Sequence, residues 1–214
     1  VVFIIFGAFL ERTGIAQFFI DLANSIAGAS AGGPAKVAVI SSALCGMVSG
    51  SSVGNTVTTG SFTIPMMKKT GYKPEFAGAV EAAASTGGQI MPPIMGAAAF
   101  LMAEYMGVSY ATVAVTAILP AVLYFTGIYI AVHLEARKLG LKGIPKDQLP
   151  KFGVLIKRIY LLAPLVVLVG MVATNMKTMQ FSAAVAIIVA IAVSIPHTIA
   201  DSRPKEGEER SEER

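Results

Sequence analysis

Residues Ala35 to Met67 read AKVAVISSALCGMVSGSSVGNTVTTGSFTIPMM. Two apolar arms flank a small polar centre: Ser49, Gly50, Ser51, Ser52, Gly54, Asn55 and Thr56. Lys36 precedes it, and Lys68 and Lys69 follow. The Ala35–Met47 arm is too short to cross a hydrocarbon core of about 30 Å at about 1.5 Å per residue. Taken as one helix, the whole stretch overshoots the roughly 20 residues a span needs. A straight crossing would also place Lys on both sides, against the cytoplasmic bias of Lys and Arg. The stretch therefore predicts a re-entrant hairpin, with its base among the lysines and its tip at Ser49–Thr56. Non-helical backbone at membrane depth persists only where protein buries it or water reaches it, so the tip is expected to line a cavity. The competing reading is a small-residue packing seam between helices.

Working outward, the composition agrees with a membrane setting. The chain is 54% hydrophobic and 14% charged, with mean hydropathy +0.68. Charge sits in short clusters and at the C-terminus, so the net +4 reads as a topology signal, not a nucleic-acid footprint. No basic patch interleaves with aromatics, and Trp is absent. Cys45, the single cysteine, lies in an apolar arm and reads as a small packing residue. The chain opens VVFIIFGAFL, in mid-span and without Met, as expected of a fragment.

Residues 1–34 read as the end of a span followed by an amphipathic helix, Ile15–Ala27, lying at the interface on Ile15, Phe18, Phe19, Leu22 and Ile26. Residues 35–110 hold the hairpin and a second interrupted element. EFAGAVEAAA predicts a half-helix ending near Ala84, Ser85–Gln89 unwinds it, and a second half-helix starts near Pro93, where Pro suits a first turn. Residues 111–200 supply ordinary spans at Ala111–Leu134, Leu155–Thr174 and Met179–Pro196, with a tight turn at Asn175–Lys177; 201–214 is a charged, disordered tail. The expected class is an all-α polytopic membrane protein with a re-entrant hairpin and a discontinuous transmembrane helix, half of an elevator-type transporter. With the hairpin base cytoplasmic, Lys73, the Arg137–Arg158 loop and the tail fall inside, and Lys177 falls outside.

Two polar breaks at membrane depth point to secondary transport. Half-helix C-termini and unwound carbonyls near Ala84–Gly87 suit a small cation, and free N–H groups near Pro93–Met95 suit an anion. The tip adds carbonyls and hydroxyls from Ser49–Ser52, with Asn55 and Thr56. These hard, neutral oxygen donors suit an alkali cation better than Zn²⁺. Glu81 reads as a residue reaching the interface or pairing with a basic group, with a proton relay as the alternative. Glu104 reads as an outer-surface exit, and His133 and His197 as interfacial. No His stands ready to activate a serine, and no second catalytic group accompanies Glu81 or His133, so an enzyme is not expected.

GMVSGSSVGNTVTTGSFTIPMMKKTGY (Gly46–Tyr72) followed by EAAASTGGQIMPPIMGAAAF (Glu81–Phe100) resembles the large membrane subunit of tripartite ATP-independent periplasmic (TRAP) transporters. The likeness is strongest to the fused-permease subgroup with TAXI-type solute-binding partners. It departs from that pattern at Gly54, where Ala is usual. The resemblance implies a Na⁺-coupled symporter for organic acids, fed by a periplasmic solute-binding protein, in a bacterial or archaeal plasma membrane with the C-terminal tail cytoplasmic. It implies Na⁺ between Ser49, Gly50, Ser51, Ser52 and Asn55 of the tip and Ser85, Thr86, Gly87 and Gly88 of the break. The substrate carboxylate is then expected beside Thr56, Gln89, Pro92, Pro93 and Ile94. Na⁺ is the expected coupling ion, with no organic cofactor and no nucleic-acid partner. The family builds its transport domain from two inverted repeats, and one is present here. The rival readings are a related hairpin transporter without a binding protein and a non-transporting fragment.

Overall fold

The computed structural model describes residues 5–7, 9–10, 13–145, 149–150, 152–174 and 179–201. Every regular element among them is helical. We label them α1 (Ile15–Ala27), α2 (Gly33–Ser49), α3 (Ser52–Thr70), α4 (Pro74–Gly87), α5 (Ala97–Met106), α6 (Tyr110–Lys138), α7 (Phe152–Lys157), α8 (Ala163–Ala173) and α9 (Met179–Asp201). The tail beyond residue 201 and the turn Asn175–Lys177 lie outside the described residues.

Ala35 to Met67 lies in a helical hairpin, α2 and α3. α2 stops at Gly50, whose left-handed φ of 61° a side chain would strain, and whose N–H donates to the Gly46 carbonyl (2.9 Å). Ser51 is extended and caps α3 by accepting from the Gly54 N–H (3.2 Å). The turn is thus shorter than the sequence suggested. Asn55 and Thr56, expected in an unwound tip, lie in the second turn of α3, because the Ser51 cap restarts the helix at once. Lys36, Lys68 and Lys69 do fall at one end of the hairpin. Lys36 is buried there, its Nζ donating to Ser30 Oγ (3.1 Å) and lying 5.4 Å from the Tyr129 ring centre.

α4 runs back beside the hairpin, so α2, α3 and α4 form an antiparallel three-helix unit. Its floor is Ala35, Ala38 and Val39 of α2, Met67 of α3, and Ala77 and Val80 of α4, closed by Val132 and Ala136 of α6. Tyr72 pins the α3–α4 connector by stacking on Phe76 at 5.6 Å. Burial, with the Glu135 charge adding, pushes its phenol up to about 12.

The amphipathic helix Ile15–Ala27 is present, but its stripe is rotated. Ile20, Ala23 and Ala27 are buried with Ile15, Phe18 and Phe19, while Ile26 is exposed. That stripe packs on α2, and Phe18 and Phe19 join a second core with Cys45, Leu165, Leu168, Ala183 and Ala186.

The interrupted element is present with different limits. α4 persists to Gly87, a 3-10 turn covers Gly88–Ile90, and α5 starts only at Ala97. Helix does not resume at Pro93 because Met95, two residues on, takes a left-handed φ of 51° that a right-handed helix cannot contain. The predicted Leu155–Thr174 span is also divided, into α7, a 3-10 turn at Ile159–Leu162, and α8 with Pro164 in its first turn. Among the described residues, α6 is the one helix long and apolar enough to cross a membrane. Val115, Leu119, Val122 and Leu123 lie exposed on it.

Candidate functional site

The hairpin tip sits on the break. Gly46 of α2 and Gly88, just past α4, touch backbone to backbone: a Cβ on Gly88 would lie 2.6 Å from the Gly46 Cα. Only glycine at both positions permits that approach. The Ile94 N–H donates to the Met47 carbonyl (3.3 Å), and Gln89 Nε2 donates to Ser52 Oγ (2.7 Å). Gly50 presses against the Met95 carbonyl. The C-terminal ends of α2 and α4 therefore converge, each carrying partial negative charge from its last carbonyls.

Asn55 lies at this junction. It is fully buried, close to both Gly46 and Gly88, and its Nδ2 donates to the Ser42 carbonyl (2.8 Å). Its Oδ1 is buried without a hydrogen-bond partner. A buried amide oxygen ordinarily finds a donor, so this orphan, on a residue whose Nδ2 sits at the contact of Gly46 and Gly88, is an electron-pair donor left over at the junction.

The structure brings together Gly50, Ser52 and Asn55 of the expected tip set with Gly88 and Gln89 of the break. Ser49 is half-buried, with its Oγ 3.4 Å from the Ser51 N, and Ser51 serves as the α3 cap. Other expected residues face elsewhere. Ser85 is buried with its hydroxyl on Glu81, Thr86 is exposed and donates to the Ala82 carbonyl, and Gly87 lies flush against Tyr124 and Phe125 of α6. Thr56 donates to the Ser52 carbonyl (2.8 Å). Pro92 and Pro93 are half-buried, and Ile94 is buried. The Pro93 and Ile94 carbonyls are met by the Tyr110 hydroxyl, which stacks on Phe100 at 4.6 Å. Beyond the break, Met95, Ala99, Met102, Val113 and Ala117 line an apolar cavity of about 400 Å³ with Gln89 at its edge. Its walls offer almost nothing to a charged group.

The residue that sequence reasoning misplaced is Glu81. It reaches neither the interface nor a basic partner. It is fully buried, its Oε1 accepting from Ser42 Oγ (2.9 Å), Ser85 Oγ (3.0 Å) and Thr59 Oγ1, and its Oε2 from Thr63 Oγ1. One carboxyl thus ties both hairpin arms to α4. A sequence signal for this existed. Gly46 and Asn55 are equidistant from the Gly50–Ser51 turn, as are Ser42 and Thr59, so each pair lies at one height in an antiparallel hairpin. Thr63 is one helical turn beyond Thr59 on the same face.

A family model described as "Tripartite ATP-independent periplasmic transporter, DctM component" matches residues 1–206. The chain belongs to this family. The large permease protein DctM of the C4-dicarboxylate TRAP transporter of Pseudomonas aeruginosa is 29% identical over 150 residues, covering 69% of this chain and 34% of that protein. Its Vibrio cholerae counterpart is 31% identical over 145 residues, covering 68% of this chain and 31% of that protein. The isethionate TRAP transporter permease protein DctMQ of Oleidesulfovibrio alaskensis is 34% identical over 91 residues, 42% of this chain and 14% of that protein. The chain thus spans about a third of the length of the first two relatives. These relatives are permeases, not enzymes. In this DctM-family chain, Ser51→Ala removes the α3 cap at the tip. We expect a loss of about 1 kcal/mol, read as a lowered midpoint of thermal unfolding, with Ser51→Asp restoring it.

Proposed function

We propose that this chain is the hairpin-bearing part of a Na⁺-coupled, binding-protein-dependent permease for organic acids. The observation that carries the reading is the orphan Oδ1 of Asn55, a buried residue that lies where α2 meets the break after α4. Asn55 Oδ1 and the last carbonyls of α2 and α4 would hold the ion, all hard neutral oxygens that fit Na⁺. Bound there, Na⁺ supplies the positive charge that makes a carboxylate welcome nearby. Gln89, on the break beside Ser52, is the side chain we assign to meet it. The names of the relatives, C4-dicarboxylate and isethionate transporters, support a small organic anion as cargo. The hairpin re-enters the membrane from the cytoplasmic side, and a second repeat completes the substrate site. A periplasmic solute-binding protein delivers the cargo; the likeness across Gly46–Tyr72 and Glu81–Phe100 favours the TAXI type. The setting is the inner membrane, with the tail cytoplasmic.

The test is uptake by the full-length permease, reconstituted in proteoliposomes with its binding protein. Uptake is expected under an inward Na⁺ gradient and not under an equal K⁺ gradient. Equal uptake under both would overturn Na⁺ coupling.

A further inference from the structure

We propose that Glu81 is a positioning residue for the ion site, acting through Ser42 on Asn55. The inference rests on the reading of Asn55 as an ion ligand. Glu81 is remote from the tip yet lies one residue from it through hydrogen bonds. Its Oε1 holds the Ser42 hydroxyl at 2.9 Å, and the Ser42 carbonyl holds Asn55 Nδ2 at 2.8 Å. Thr59 Oγ1, on α3 one turn beyond Asn55, also donates to Glu81, so the carboxyl grips the arm that carries Asn55 as well as the arm that carries Ser42.

The tether at Asn55 is one-ended. Nδ2 is bound and Oδ1 is not, so the direction of Oδ1 depends on where the Ser42 carbonyl stands. Ser42 belongs to α2 and Asn55 to α3, so a shift between the arms would turn the amide. Glu81 Oε1 bonds to Ser42 on α2, to Thr59 on α3 and to Ser85 on its own helix, which fixes that relative height. A ligand held by such a supporting shell is preorganised, and loosening the shell weakens binding without removing a ligand.

Among the described residues of the helices around Glu81, no charged group competes for this role. On α2, Lys36 is engaged by Ser30 and Tyr129; on α3, Lys68 and Lys69 are exposed; on α4, Glu75 is exposed. On α6, the Tyr124 hydroxyl donates to the Ala83 carbonyl (2.9 Å). Thr63 offers an internal control. It contacts Glu81 Oε2, whereas Ser42 and Thr59 share Oε1.

The experiment titrates Na⁺ against the thermal unfolding of the purified full-length permease in choline-based buffer. Wild type, Ser42→Ala, Thr63→Ala, Glu81→Ala, Glu81→Gln and Asn55→Ala are compared. Wild type is expected to rise in melting temperature with Na⁺, since a ligand that binds the folded state stabilises it. Ser42→Ala and Glu81→Ala should move the Na⁺ midpoint up by about tenfold, the weight of one well-placed hydrogen bond. Glu81→Gln, which keeps an acceptor for Ser42, should recover most of that loss. Thr63→Ala should lower the melting temperature and leave the Na⁺ midpoint in place. Equal melting losses in Ser42→Ala and Thr63→Ala, with both Na⁺ midpoints unmoved, would make Glu81 a packing clamp and overturn the proposal. An undiminished Na⁺ response in Asn55→Ala would overturn the ion-site reading, and the positioning role with it.

Discussion

Gly46→Ala is expected to undock the hairpin tip from the break and to abolish Na⁺-driven uptake. In an isolated helix this change would be stabilising by about 1 kcal/mol, since glycine is a poor helix former. Here the new methyl would overlap the Gly88 Cα and approach Asn55 Nδ2 to 3.1 Å. Gly88 cannot yield cheaply. Its N–H caps α4 on the Ser85 and Thr86 carbonyls, and its carbonyl receives the Met91 N–H at 3.3 Å. Overpacking of backbone on backbone belongs at the upper end of the roughly 1–3 kcal/mol such insertions cost, which exceeds the propensity gain. Two contacts should go with it, from the Ile94 N–H to Met47 and from Gln89 to Ser52. Gly78 supplies the contrast. It lies in α4, where a methyl would have nothing within 4 Å, so Gly78→Ala should be neutral or stabilising by up to about 1 kcal/mol. Thermal unfolding and uptake of the two variants, side by side, check the pair.

Glu81→Ala should destabilise the permease by about 2–4 kcal/mol, chiefly through the cavity it leaves. The hydroxyls it abandons are not all stranded. Thr59 and Thr63 lie 2.8 and 3.0 Å from the Asn55 and Thr59 carbonyls, and Ser42 lies 3.0 Å from Thr59. They can turn their protons to those neighbours, which spares part of the penalty of unmade bonds. What cannot be recovered is the link from α4 to both hairpin arms. Glu81→Gln keeps the shape and an acceptor oxygen, so its loss should be nearer 1 kcal/mol. Denaturant unfolding of the two variants measures the difference. Equal losses would mean that the ionisable carboxyl, and not the shape of the side chain, holds the three helices.

The pairing of hairpin and break was legible in the sequence because both elements break the rules of an apolar span. The Lys bracket placed the hairpin base, and the turn at Gly50 and Ser51 lies where small polar residues concentrate. The lengths of the helices were less legible. Polar residues in α3 read as unwound, yet Ser51 restarts the helix and Thr56 returns its hydroxyl to Ser52. At the far side of the break, two prolines suggested a helix start, but the backbone at Met95 delays it to Ala97. Glu81 was misread for a different reason. An acid in an apolar run is ordinarily drawn toward water or a base, and its burial here depends on three helices meeting at one height. The equal spacing of Ser42 and Thr59 from the turn holds that information, once the hairpin is taken literally. Ser85, Thr86 and Gly87 share a motif with Gly88 but not its direction, since consecutive helical residues point about 100° apart.

The most direct measurement is the Na⁺ dependence of substrate uptake by the full-length permease with Asn55→Ala, set against wild type in the same proteoliposomes. The account predicts a rise of at least about tenfold in the Na⁺ concentration for half-maximal uptake, as expected when an ion loses one oxygen ligand. A Na⁺ dependence identical to wild type, with uptake intact, would contradict it.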